Sequence, residues 1–84
     1  MNLMTNISTN ESWELIYTLE SGEERIFDVK PYLNYEAFQT LRDIVHFARV
    51  NNGRYFVEWE CGADLSLDTL NAHSTILKTA RLVA

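Results

Sequence analysis

Between Trp13 and Glu20 apolar and polar side chains alternate. Trp13, Leu15, Tyr17 and Leu19 fall on one parity, and Glu14, Ile16, Thr18 and Glu20 on the other. A period of two, rich in aromatic and branched residues, predicts a half-buried β-strand. Ser21-Gly22-Glu23 follows as a turn, with Gly22 free to take positive φ. Glu24 to Val29 reads as the return strand, Phe27 and Val29 pointing one way and Ile26 and Asp28 the other. Pro31, which has no N–H for a ladder, ends it. Phe38, Leu41 and Val45 then recur at helical spacing behind Asn34 as N-cap and Glu36 in the first turn, predicting a short amphipathic helix.

The second half repeats the strand–turn–strand pattern. Phe47 to Val50 is a short strand, Asn51-Asn52-Gly53 a turn, and Arg54 to Cys61 the partner strand. Period two puts Tyr55, Val57, Trp59 and Cys61 on one face and Arg54, Phe56, Glu58 and Glu60 on the other. Gly62 breaks the strand. Ser66 caps a last helical stretch, with Asp68 in its first turn and Leu67 and Leu70 inward.

The expected fold is therefore α+β: a small antiparallel sheet of two hairpins, a short helix packed on one face, and helical turns at the C-terminus. Residues 1–12 are polar and read as a tail or a short first strand. Residues 13–72 form one α+β domain. Residues 73–84 read as a helical tail, with Ile76, Leu77 and Ala80 on its apolar side and Lys78 and Arg81 on its basic side. Trp13, Leu15, Tyr17, Phe27, Val57 and Trp59 are the expected core.

Composition narrows the function. At 84 residues with 46% apolar and 23% charged positions, the chain is a single globular domain rather than a disordered segment. A domain of this size buries only about 60% of its unfolded surface, which leaves little room for an enclosed active site. The net charge of −5 argues against direct nucleic-acid binding, which needs a basic footprint. The lone Cys61 forms no intrachain disulfide, so a reducing cytoplasmic setting is expected. No signal-peptide pattern and no run long enough to span a membrane is present in the sequence.

Candidate chemistry is sparse. Cys61, His46 and His73 are the non-carboxylate metal ligands, and none sits in a metal-binding spacing, so no metal and no cofactor is expected. Cys61 with His73 is the one nucleophile–base pair to consider. Acidic Glu58, Glu60 and Asp64 around the thiol disfavour the thiolate that chemistry needs. Glu58 and Glu60 share a strand face, but a carboxylate pair needs a cleft to be catalytic. No catalytic residue is therefore expected. Gly62 and Asp64 are read as structural, Gly62 permitting the turn and Asp64 bonding nearby backbone N–H groups. Glu14, Ile16, Phe56, Glu58 and Glu60, acidic groups around a few apolar ones on the outer sheet face, are the candidate partner-binding residues.

Two blocks carry a family resemblance. One is Gly22-Glu23-Glu24-Arg25-Ile26-Phe27-Asp28-Val29-Lys30-Pro31-Tyr32-Leu33. The other is Ala48-Arg49-Val50, then Trp59, then Gly62-Ala63-Asp64-Leu65-Ser66-Leu67-Asp68-Thr69-Leu70. Together they resemble the bacterial domain of unknown function 2442. The resemblance implies a small α+β domain, sometimes fused to a helix-turn-helix, often beside a small partner gene as in toxin–antitoxin pairs, and without known catalysis. Glu60 and Cys61 stand where that pattern often has Pro and Asn, the chain runs on past Leu70, and no helix-turn-helix segment is present. The expected function is a non-enzymatic, acidic protein-binding module, antitoxin-like or inhibitor-like, occluding a basic protein partner. A phage-encoded inhibitor of host defence of the anti-CRISPR type and an accessory transcriptional regulator remain alternatives.

Overall fold

In the computed structural model, which describes residues 1–79, the chain builds two antiparallel sheets joined by helical segments. In chain order the elements are β1 (Met4–Thr9), β2 (Glu14–Leu19), β3 (Glu24–Asp28), 3₁₀ turns at Lys30–Tyr32 and Glu36–Arg42, α1 (Ile44–Phe47), β4 (Asn51–Asn52), β5 (Phe56–Glu58), β6 (Asp64–Ser66), α2 (Leu67–His73) and β7 (Thr75–Lys78). The larger sheet has the order β1-β2-β3-β7 and the smaller β4-β5-β6.

The alternating pattern of β2 sets the core. Leu15, Tyr17 and Leu19 are buried on one face, and in the β2–β3 register Leu15 stands opposite Phe27, which is buried with them. Val57 and Trp59 bring the smaller sheet onto the same core. Five of the six expected core residues are buried. Trp13 is half-buried and packs against the edge of the core, and at the β1–β2 connection it takes a φ of 56°, a left-handed conformation that favours glycine. Its indole Nε1 donates to the Leu41 carbonyl at 2.7 Å and so fastens the hairpin to the 3₁₀ segment.

Three segments differ from the sequence expectation, each for a local reason, while the N-terminus takes the second of its two expected forms, a short first strand. The polar N-terminus is the strand β1, paired along β2 from Met4↔Leu19 to Thr9↔Leu15, with Met4 and Ile7 on the core side. The expected amphipathic helix is instead a 3₁₀ turn followed by α1. Phe38, Leu41, Ile44 and Phe47 recur every three residues, the spacing that a 3₁₀ turn stacks on one face. Val45 is left exposed, and Asp43, not Asn34, caps the α-helical part by accepting from the Val45 N–H. Phe47 to Val50 is therefore not a strand. Asn51 and Asn52 pair with Glu58 and Val57, so the hairpin turn slides to Gly53–Tyr55. There Asn52 Oδ1 accepts from the Arg54 N–H at 2.7 Å and Arg54 takes φ 74°. A Cβ at Gly53 would come within 2.3–2.5 Å of the far end of the Phe56 ring, so any larger residue there requires that ring to move.

The last difference is at the C-terminal side. Thr75–Lys78 is not helical but forms β7 on the edge of β3. Unpaired N–H and C=O groups on an edge strand recruit a further strand, and Ser74, held by the Tyr17 and Arg25 side chains, aims the chain along that edge. Ile76 and Leu77 are exposed there, whereas Ala80 and Arg81 lie outside the described residues.

Candidate functional site

The expected partner-binding residues are split between the two sheets. Glu14 and Ile16 lie on the face of β2 opposite the core, while Phe56 and Glu58 lie on β5 and Glu60 in the turn after it. The larger sheet adds residues that the single-strand pattern did not connect. Ile16 stands opposite Ser8 on β1 and Ile26 on β3, Thr18 opposite Glu24, and Glu14 opposite Asp28. Ile16 and Ile26 are half-buried and belong to no part of the core. Side chains from Glu14, Glu24 and Asp28 surround them, with Lys78 at the β7 edge opposite Glu24. An apolar centre inside a polar, acidic rim is the layout of an interaction surface.

Phe56 is less available than expected, because its ring covers Gly53 and meets Tyr55 edge-on at 5.4 Å between centroids. Glu58 and Glu60 are both exposed. In the β5–β6 register Glu58 stands directly opposite Asp64, which is also exposed. The expected structural role of Asp64 is thus corrected: its side chain makes no hydrogen bond among the described residues. Asn10, Asp28, Asp43 and Asn52 accept from local backbone N–H groups instead. Gly62 takes φ 96° in the turn that joins β5 to β6. Like charges directly opposite one another weaken a strand pair. Both sheets carry such a pair, Glu14–Asp28 and Glu58–Asp64.

The nucleophile–base pair does not assemble. Cys61 is exposed and shares a cavity of only 20 Å³ with His46, whereas His73 lines a separate groove beside Phe27 and Tyr32. Among the described residues no three His, Cys, Asp or Glu side chains come together as a metal site. None of their helices is long and apolar enough to cross a membrane.

One half-buried polar network crosses from the larger sheet to α2. The Tyr17 hydroxyl donates to Asn71 Oδ1 at 2.8 Å and shares a hydrogen bond with Ser74 Oγ at 3.0 Å. Arg25 donates to Ser74 Oγ at 3.0 Å and to the Asn71 carbonyl near the end of α2, where a cation is favoured. Its Nε donates to Glu23 Oε2 at 2.7 Å. Burial pushes the Tyr17 phenol up from its ordinary pKa, opposed by the Ser74 hydrogen bond and the Arg25 charge. A neutral phenol held this way orders α2 against the sheet and offers no base.

Fold and site together define a small α+β protein with acidic sheet faces and no converged catalytic set among the described residues. A family model described as protein of unknown function (DUF2442) matches residues 4–75, and the chain belongs to that family. The match ends at the first residue of β7. No curated protein and no solved structure matches the chain.

Proposed function

We propose that the protein is a non-enzymatic binding module, antitoxin-like or inhibitor-like, that uses its acidic sheet faces to occlude a basic protein partner. The observation that carries this reading is the placement of one exposed carboxylate opposite another. Glu58 faces Asp64 on the smaller sheet, and no cation lies within ion-pair reach of either among the described residues. Such an arrangement costs the free protein stability and gains it back against positive charge. The larger sheet offers the better docking area, since Ile16 and Ile26 supply an apolar centre inside the Glu14, Glu24 and Asp28 rim. Complementary charge speeds the encounter and selects against acidic competitors.

The test is affinity capture from the native host, followed by reconstitution from the purified components. A basic partner whose own activity falls as the protein is added is the expected outcome. A captured partner that is acidic, or that keeps full activity when saturated, counts against the reading.

A further inference from the structure

A groove of 310 Å³ opens where the larger sheet meets the first 3₁₀ turn, lined by Phe27, Asp28, Pro31, Tyr32, Tyr35 and His73. Its size is at the lower end of small-ligand sites, about 300–1,000 Å³, and suits one long side chain rather than an extended molecule. Two tyrosines form its aromatic corner. The Tyr32 and Tyr35 centroids are 5.9 Å apart and their planes meet at 76°. Tyr32 is fixed in place by Phe27 at 5.6 Å and Phe38 at 5.7 Å. Tyr35 is held through its backbone, whose N–H donates to the Tyr32 carbonyl at 3.0 Å, while its side chain is 61% exposed. An exposed tyrosine over a preformed aromatic wall gains nothing for the core, since Tyr35 is not part of it.

The acid on the rim is Asp28. Its carboxylate accepts from the Lys30 N–H at 3.0 Å and pairs with Lys30 Nζ at 3.0 Å, an ion pair half open to water on both sides and so of little worth. Aromatic faces attract cations through the ring quadrupole, and a guanidinium also stacks flat on a ring while forking onto a carboxylate.

We infer that this groove is an arginine slot: it receives an arginine side chain of the basic partner, stacked on Tyr35 and paired with Asp28 in place of Lys30. That the arginine belongs to a partner rests on the proposed function, whereas the chemistry of the slot does not.

The experiment titrates the full chain with N-acetyl-arginine methylamide, and separately with its citrulline counterpart, following ring and backbone signals by NMR. Citrulline keeps the shape of arginine and removes the charge. Arginine is expected to shift the Tyr32, Tyr35 and Asp28 signals saturably, and citrulline to leave them in place. Tyr35→Ala should weaken the arginine response about tenfold, the scale of one desolvated cation–aromatic contact. Because Tyr35 is exposed, its circular dichroism should match the wild type. Asp28→Asn, which keeps an oxygen for the Lys30 N–H, should weaken the response as well. Equal responses to arginine and citrulline, or an unchanged response in Tyr35→Ala, would overturn the slot. An arginine response that stands while no basic partner is ever recovered would overturn the proposed function and leave the slot in place. Undiminished partner binding by Tyr35→Ala would remove the partner's arginine from it.

Discussion

Trp59 joins three elements with one side chain. Its indole stacks on Phe47 at 5.9 Å between centroids, meets Phe38 edge-on at 6.2 Å, and donates from Nε1 to the Phe47 carbonyl at 2.9 Å. Replacing it by Ala is expected to cost about 3–5 kcal/mol, a large share of the total stability of a small domain. The check is the chemical denaturation midpoint, and an unchanged midpoint would show that this contact set does not hold the two halves together. Tyr17 gives a second prediction at this scale. Tyr17→Phe leaves the Asn71 side chain without its donor and should cost about 1 kcal/mol at neutral pH. The direction of its pKa shift gives the pH dependence. The folded state holds the phenolic proton more tightly than the unfolded chain, whose value is 10.0, so this contribution is complete below that pH. It is lost as pH rises from there through the folded value. Wild-type stability should therefore fall more steeply than that of Tyr17→Phe above pH 10, and parallel curves in urea titrations would contradict the assignment.

At the scale of elements, the strands of the larger sheet were legible and their neighbours were not. The alternation from Trp13 to Glu20 fixes which side chains of β2 face inward, because a strand repeats every two residues. Phe27 and Val29 fix β3 in the same way. What one strand's pattern lacks is its pairing. That Glu14 meets Asp28, or Glu58 meets Asp64, depends on register, and register depends on the turn. In the smaller sheet the inward phase of Val57 and Trp59 is legible, but the turn is not: Asn51-Asn52-Gly53 reads as a turn, whereas Asn51 and Asn52 pair with Glu58 and Val57 and Asn52 accepts from the Arg54 N–H two residues on. The recurrence of Phe38, Leu41, Ile44 and Phe47 every three residues was available in the sequence, but it is read as helix unless the 3₁₀ period is tried. The spacing of Ile76, Leu77 and Ala80 reads as helix, and the strand that Thr75–Lys78 forms is set by the β3 edge rather than by that pattern. A prediction at this scale concerns the like-charge pair. Asp64→Lys turns the Glu58 cross-strand neighbour from repulsive to attractive and should raise stability by about 0.2–1 kcal/mol. A thermal midpoint that drops instead would mean that the two side chains do not face each other.

The whole molecule places acidic charge on two separate sheets rather than on one continuous face. The partner-binding set read from the sequence therefore divides into two testable groups. Glu14, with Glu24 newly joined to it, lies on the larger sheet around Ile16 and Ile26. Glu58 and Glu60 lie at the smaller sheet and its turn. Glu58 and Glu60 are exposed, Glu14 and Glu24 half-buried, and none of the four is in an ion pair among the described residues, so reversing them should leave the fold intact. Their effect belongs to encounter, where complementary charge raises association rates and salt removes the advantage. The most direct measurement is the association rate of the purified basic partner with wild type, Glu14→Lys/Glu24→Lys and Glu58→Lys/Glu60→Lys, at low and at high salt. At low salt the larger-sheet variant should associate at least about tenfold more slowly than wild type, with the gap closing as salt is raised. Wild-type rates for both variants at low salt would contradict an acidic sheet face as the binding surface.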